Sequence, residues 1–363
     1  MIPSKRVIVG ISGGVDSAVS ALLLKEQGYS VEGLFMKNWE ETESEGGACT
    51  ASEDLKDAES ICDQLDIPLH TINFSRLYWN NVFAKALNEF AEGRTPNPDI
   101  LCNREIKFKA FFEYALNLGA DYIATGHYAL RSQTRKGEWQ LKKGSDPSKD
   151  QSYFLYTLSK TILDKVLFPI GGLHKKEVRE TAKKSGFINH EKKDSTGICF
   201  IGEQKFQPFL SRFLPLKPGS IETPEGKVIS EHLGLSFYTI GQRQGLKIGG
   251  QKGALAAPWY VVGKDFTRNS LIVAQGKEHP LLYQSSLKAK DLHWINGSPL
   301  SPEGEFVCGA KIRYRQKEQA CKLNLSSDGQ CVVQFETPQR AITPGQSIVF
   351  YQSDICLGGG MIQ

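Results

Sequence analysis

The string Ser12-Gly13-Gly14-Val15-Asp16-Ser17 stands directly behind the apolar run Val7-Ile8-Val9-Gly10-Ile11. Together they restrict the chain to folds in which a buried strand turns tightly into a helix. Gly13 and Gly14 tolerate φ > 0 and let backbone N–H groups approach an anion. A helix opening near Val15 adds the partial positive charge of its N-terminus. Ser12 and Ser17 offer hydroxyls, and Asp16 beside a polyanion calls for a cation such as Mg²⁺ between them. The arrangement is a phosphate cradle. It lacks the Gly-Lys-Ser/Thr ending of the P-loop, so transfer of a terminal phosphoryl group is not the chemistry it favours.

The segments that follow alternate strand and helix. Arg6–Ser12, Val31–Met36, Leu69–Phe74 and Tyr122–Thr125 read as strands. Val15–Gln27, Ser52–Leu65, Leu77–Glu92 and Asn103–Asn117 read as helices. This rhythm predicts an α/β fold, a Rossmann-like parallel sheet covered on both faces. Ligands of such sheets bind at the carboxyl ends of the strands. The cradle, Met36 and Gly126 all fall there, with Met36 placed to pack against a purine and Gly126 to permit close backbone approach. Around Pro215–Gly219 helical periodicity fades. Short runs at Ser236–Ile240, Trp259–Val262, Leu271–Ala274, Ala310–Tyr314, Val332–Glu336 and Ser347–Tyr351 read as strands between Gly, Pro and Asn turns. Three domains are expected: 1–214, a small β-rich domain over 215–276, and a C-terminal β-barrel over 277–363.

With 363 residues and 40% hydrophobic content, the chain has enough material for real cores. It has no apolar run near the roughly 20 residues that span a bilayer. The N-terminus enters the first strand without a leader, so a cytoplasmic protein with no membrane partner is expected. The net charge is +4, yet Ala129–Lys193 holds 15 Lys and Arg against seven Asp and Glu. Such a concentrated basic segment points to a polyanionic partner or to a solvated lysine-rich surface.

The eight cysteines include no Cys-x-x-Cys pair, which argues against a zinc ribbon or a simple iron–sulfur site. Two of them sit in unusual settings. Cys102 follows Thr95-Pro96-Asn97-Pro98-Asp99-Ile100-Leu101, where two prolines stiffen the chain, and precedes a basic helix, Arg104 to Lys109. A helix start and neighbouring cations raise a thiolate fraction, and Asp99 is near enough in sequence to handle a proton. Cys199 lies in a polar loop, Asp194-Ser195-Thr196-Gly197-Ile198-Cys199-Phe200-Ile201-Gly202. One reactive cysteine suggests a nucleophile; two suggest sulfur transfer or redox exchange. The remaining thiols read as small buried hydrophobes.

With these motifs in hand, the chain resembles the bacterial tRNA-specific 2-thiouridylases over nearly its whole length. The cradle itself resembles the pyrophosphatase loop (PP-loop) of adenine nucleotide α-hydrolase-like enzymes, which cleave ATP between its α and β phosphates. Further matching strings are Ala124–Tyr128, Lys149–Phe154, Tyr238–Arg243, Lys311–Tyr314, Ala341–Gln346 and Cys356–Gly360. The resemblance implies ATP and Mg²⁺ at Gly10, Ile11, Ser12, Gly13, Gly14, Val15, Asp16, Ser17, Met36 and Gly126, with Asp16 on the metal. It implies a substrate, the wobble uridine of tRNAs of the Glu, Gln and Lys type. Asn97, Pro98 and Asp99 would meet the flipped-out base, and Lys149, Asp150, Gln151, Arg313 and Tyr314 would touch the tRNA. Cys199 would carry persulfide sulfur from a donor protein, and Cys102 would be its partner nucleophile, the two ending as a transient disulfide. Asp99 would serve in acid–base chemistry. Two other readings exist. An amide-forming ligase of the same loop class explains the cradle but leaves both cysteines without a task. A non-catalytic RNA-binding module leaves the cradle idle.

Overall fold

The computed structural model describes residues 4–39, 50–193, 206–249, 257–300, 304–325 and 330–363. Its first layer is a five-stranded parallel sheet built from β1 (Arg6–Gly10), β2 (Ser30–Lys37), β3 (Leu69–Asn73), β4 (Tyr122–Ala124) and, after an intervening hairpin of β5 (Ala129–Gln133) and β6 (Trp139–Lys143), β7 (Val166–Leu167). The order is β3-β2-β1-β4-β7, with every pair parallel. β1 is central because its side chains are apolar on both faces. Val7 and Val9 pack with Val19 and Leu24 of α1 (Val15–Glu26) and Ile61 of α2 (Thr50–Leu65). Ile8 faces the other way, among Leu34, Ile106, Phe111 and Ile123. Alternation along a strand with both faces apolar gives a sheet sandwiched between helices. Strand order reverses between β1 and β4, so this is the crevice where such sheets take ligands.

The hairpin β5 (Ala129–Gln133) and β6 (Trp139–Lys143) leaves this layer and joins another. β6 pairs with the C-terminal strand through Leu141↔Cys356 and Lys142↔Ile355. That strand, β17 (Ile355–Ile362), belongs to a barrel with β12 (Tyr283–Trp294), β13 (Phe306–Lys311), β14 (Gln319–Leu325), β15 (Cys331–Arg340) and β16 (Ser347–Gln352). The order β12-β15-β14-β13-β16-β17 closes when β17 returns to β12, as in Ala289↔Ile362. Between the two lies a four-stranded sheet, β10-β11-β8-β9, formed by β8 (Gly219–Glu222), β9 (Val228–His232), β10 (Trp259–Asp265) and β11 (Ser270–Gln275). The expected α/β sheet, small β-rich unit and C-terminal barrel are therefore all present.

Three local expectations need correction. Ser236–Ile240 is not a strand. Leu235–Phe237 forms a 3₁₀ turn, and Gln242 Oε1 accepts the Thr239 N–H at 2.9 Å, which closes a local turn where a ladder would need that donor. The Ala310–Tyr314 strand stops at Lys311, and the chain turns out through Arg315 at φ 64°. The helix expected from Asn103 begins earlier, at Pro98, a residue suited to the first helical position. α-Helical Pro98–Cys102, π-helical Asn103–Ala110 and α-helical Phe111–Asn117 then run on without a break. The cysteines at 62, 308, 321, 331 and 356 are buried as expected. Burial pushes the Cys62 thiol up to about 11 and the Cys331 thiol up to about 12, so neither is a nucleophile at neutral pH.

Candidate active site

The turn behind β1 has the shape its glycines predict. Gly13 stands at φ 73°, and a Cβ there would lie 2.5 Å from the Asp54 carbonyl oxygen. Gly14 caps α1 without any side-chain acceptor, which leaves the first N–H groups of the helix for an anion. Ser12 is the exposed hydroxyl. Ser17 is buried and differs from expectation. Its Oγ donates to the Gly14 carbonyl at 3.0 Å and accepts the Ser12 N–H at 3.2 Å, so it braces the loop. Ile11 and Val15 are core residues that offer only backbone.

Gly126 closes the opposite wall. A Cβ on Gly126 would sit 2.8 Å from both the Asp16 carbonyl carbon and the Ser17 nitrogen, which are backbone atoms with nowhere to yield. Gly126→Ala is therefore expected to push the cradle open. By the usual cost of overpacking, about 1–3 kcal/mol, affinity for a purine nucleotide should fall roughly 10-fold or more; a nucleotide titration checks it. Met36 is beside the loop as well, its Cε 3.5 Å from where a Gly10 Cβ would stand.

Side chains that the sequence reading passed over complete the site. Asp16 accepts a hydrogen bond from Tyr128 Oη at 2.8 Å, and Lys175 Nζ reaches both Asp16 carboxylate oxygens at 2.8 Å. The Gly13 carbonyl accepts from Asn189 Nδ2 at 3.0 Å. Lys192 Nζ bonds Asp54 at 2.8 Å and Asp57 at 2.5 Å beside it. His127 Nδ1 lies 2.8 Å from Thr125 Oγ1; burial first, then the nearby Lys107 charge, drives its pKa well below the ordinary value, so the ring is neutral. Lys175 comes from a helix, Lys175–Lys184, whose four lysines look alike in sequence. Of these residues, Thr125, His127 and Tyr128 lie in the Ala124–Tyr128 string.

The helical run Pro98–Asn117 packs against the same loop, since Phe111 Cε1 lies 3.5 Å from the Gly10 Cβ position. Asn97 caps this run, its Oδ1 accepting from the Ile100 N–H at 3.3 Å. Asn97, Pro98 and Asp99 are half-buried. The setting of Cys102 is not the one expected. It is the fifth residue of the helix, fully buried, and not a residue ahead of a helix start. The neighbouring cations are also engaged: Glu105 pairs with Arg104 at 3.0 Å and with Lys85 and Lys109 at 3.7 Å. The segment just ahead is held from two sides. The Thr95 N–H donates to the Pro344 carbonyl at 2.9 Å, and Gln346 Nε2 donates to the Thr95 and Pro96 carbonyls at 2.8 and 3.2 Å. Thr95 Oγ1 meets Thr239 Oγ1 at 3.1 Å, and Lys264 Nζ donates to the Gly93 carbonyl at 2.7 Å. The strings Ala341–Gln346 and Tyr238–Arg243 thus converge on one turn. Cys199 lies outside the described residues, so its distance from Cys102 is not part of this geometry.

The remaining expected contacts divide into two groups. Lys149 and Tyr314 meet beside the barrel, and Arg313 directly precedes Tyr314 in the chain. The Tyr314 ring lies 4.5 Å from the Phe154 ring, and its hydroxyl donates to the Lys149 carbonyl at 3.5 Å. Arg313 donates to the Arg340 carbonyl; desolvation first, then the nearby Arg340 charge, lowers its pKa. Asp150 and Gln151 are placed for support instead. Asp150 is buried, accepts from the Gly144 and Ser152 N–H groups at 3.2 and 3.1 Å, and pairs with Lys311 at 3.0 Å. Gln151 Oε1 accepts the Tyr128 N–H at 2.9 Å. Among the described residues no group of three or more His, Cys, Asp or Glu side chains is arranged to hold a metal. No helix there is long and apolar enough to cross a membrane.

A parallel sheet with a phosphate cradle at its switch point, followed by a small β unit and a closed barrel, defines a nucleotide-binding α/β protein of the HUP type. Three family models match in succession. They are a tRNA methyl transferase HUP domain at residues 5–203, a tRNA methyl transferase PRC-barrel domain at 207–275 and an aminomethyltransferase beta-barrel domain at 284–362. Full-length relatives are more specific. A Vibrio cholerae protein is 59% identical over 361 residues, covering 99% of this chain and 96% of its own. An Idiomarina loihiensis protein is 57% identical over 361 residues, with 99% and 96% covered. A Pseudomonas aeruginosa protein is 58% identical over 359 residues, with 99% and 94% covered. Each is named tRNA-specific 2-thiouridylase MnmA. The chain belongs to the tRNA-specific 2-thiouridylase family.

Proposed function

We propose that this protein is an ATP-dependent tRNA-uridine 2-sulfurtransferase working at the wobble position, on tRNAs of the Glu, Gln and Lys type. The observation that carries the proposal is that the helical run bearing Cys102 packs on the cradle, through Phe111 against Gly10. A nucleotide loop and a thiol-bearing helix in one packed unit suit a reaction that adenylates an oxygen and then displaces it with sulfur.

Gly10–Ser17 receive the triphosphate of ATP, with Met36 and Gly126 flanking the nucleotide. The oxygen donors at Ser12 and Asp16 suit Mg²⁺, which is usually held by one or two carboxylates and substrate phosphates. Mg²⁺ supplies neutralisation of phosphate charge there. The uracil ring must leave its stack to expose carbon-2, at a cost of a few kcal/mol. Asn97, Pro98 and Asp99 receive it directly after a segment, Gly93–Pro96, that is held from two sides. The O2 oxygen attacks the α phosphorus, and the bond to the bridging oxygen breaks with its electron pair leaving on pyrophosphate. The N3 proton passes to solvent or to Asp99. Carbon-2 now bears AMP, a far better leaving group than the original carbonyl oxygen.

Sulfur arrives as a persulfide on Cys199, supplied by a donor protein. In one route the terminal persulfide sulfur displaces AMP, and Cys102 then attacks Cys199 Sγ, releasing 2-thiouridine. In the other, Cys102 attacks the persulfide first and releases hydrosulfide, which displaces AMP. Both leave one Cys102–Cys199 disulfide, which a dithiol reductant must reopen. Lys149, Arg313 and Tyr314 hold the tRNA, with Asp150 and Gln151 bracing that surface. The catalytic, central and barrel units follow the 1–214, 215–276 and 277–363 division, and a tRNA substrate suits a cytoplasmic enzyme.

Mixing the protein with α-labelled ATP, unmodified tRNA and sulfide tests this. AMP and pyrophosphate are expected in equal amounts, dependent on the RNA. Release of ADP and orthophosphate contradicts the reading.

A further inference from the structure

Lys175 is the least explained charge at the cradle. Its ammonium sits 2.8 Å from both oxygens of Asp16, with its side chain 12% exposed and that of Asp16 30% exposed. It also lies over the Tyr128 ring, 5.7 Å from the centroid. The backbone of Lys175 is fixed independently of this contact. Its N–H donates to buried Asp146 at 3.0 Å, and Asp146 is itself held by Ser148 at 2.7 Å. The helix start is further set by Glu177, which accepts the His174 N–H at 2.7 Å. The stem is therefore anchored while the ammonium reaches into the cradle from 159 residues away. Lys192, which lies beside the Gly13 carbonyl, is committed to two carboxylates.

A lysine bonded to the one carboxylate of a phosphate loop neutralises that carboxylate while the loop holds no polyanion. Once Mg²⁺-nucleotide enters, Asp16 gains a cation and the triphosphate gains the nearest ammonium. Both exchanges replace one charge-assisted contact with another, so the swap carries little net penalty.

We propose that Lys175 is a ligand of the β and γ phosphates of ATP, released from Asp16 when Mg²⁺-nucleotide binds, and that it stabilises the charge gathering on pyrophosphate as the α–β bridge breaks. This inference rests on the cradle being the ATP site.

Binding to the full-length chain tests it, with α,β-methylene-ATP, AMP and inorganic pyrophosphate as probes. Lys175→Met should weaken α,β-methylene-ATP and pyrophosphate by about 10- to 100-fold, the worth of a charge-assisted contact. AMP, which lacks those phosphates, should bind as to the wild type. Asp16→Asn should act in the opposite sense without Mg²⁺: pyrophosphate binds more tightly because Lys175 has lost its competitor, and the double variant loses that gain. Equal losses for AMP and the triphosphate in Lys175→Met, or unchanged triphosphate affinity, overturn the inference. A wild-type chain that binds none of the three probes overturns the ATP-site reading itself.

Discussion

Cys102→Ala is expected to stop 2-thiouridine formation, lowering turnover at least about 1000-fold, the scale seen when a nucleophile is removed. Three partial activities should survive: persulfide loading on Cys199, tRNA binding, and tRNA-dependent release of pyrophosphate. The separation follows from the proposed mechanism, in which adenylation uses the cradle and loading uses Cys199. Only discharge of the persulfide needs the thiol on the Pro98–Asn117 helical run. Because Cys102 is fully buried, alanine leaves a small cavity, worth about 1 kcal/mol by analogy with other small truncations. A matched melting midpoint separates that effect from chemistry. Normal thiolation by the variant removes Cys102 from the mechanism.

Asp150→Ala is expected to destabilise the protein by about 3–5 kcal/mol, the cost of leaving a buried partner charge uncompensated. Asp150 and Lys311 have side-chain exposures of 5% and 12%, and their contact ties the Ser152 turn to β13 of the barrel. Lys311 also lies 4.9 Å from the centre of the buried Tyr351 ring. The melting midpoint should fall by roughly 10 °C. The double variant Asp150→Ala with Lys311→Met should recover much of that loss, because no buried charge is then orphaned. A variant with wild-type stability and weakened tRNA affinity would return Asp150 to the role of a direct RNA contact.

Much of the site was legible because it is local. β1 and the cradle lie within a dozen residues, and the glycine at position 13 reports a backbone conformation that few other residues adopt. The parallel sheet followed from strand–helix alternation, for the same reason. What escaped depends on contacts distant in sequence. Lys175 meets Asp16 across 159 residues, and nothing in a lysine-rich helix marks which lysine turns inward. The hairpin β5–β6 read as a basic stretch, yet its pairing partner is the last strand of the chain. The electrostatics of Cys102 were misjudged because Pro98 starts the helix four residues before it, and because Glu105 takes the charges that seemed to serve the thiol. The motifs at Tyr238–Arg243 and Ala341–Gln346 were visible as strings, but their shared work on the turn at Thr95 exists only in three dimensions.

The central claim is that the cradle and Cys102 serve a single reaction at one nucleobase. Nucleoside mass spectrometry of tRNA treated with the protein, ATP and a persulfide donor tests it most directly, with pyrophosphate measured in the same sample. One 2-thiouridine per pyrophosphate, confined to the wobble position, is the result expected. Pyrophosphate released in step with RNA while the uridine keeps its oxygen, or sulfur gained without ATP, would contradict it.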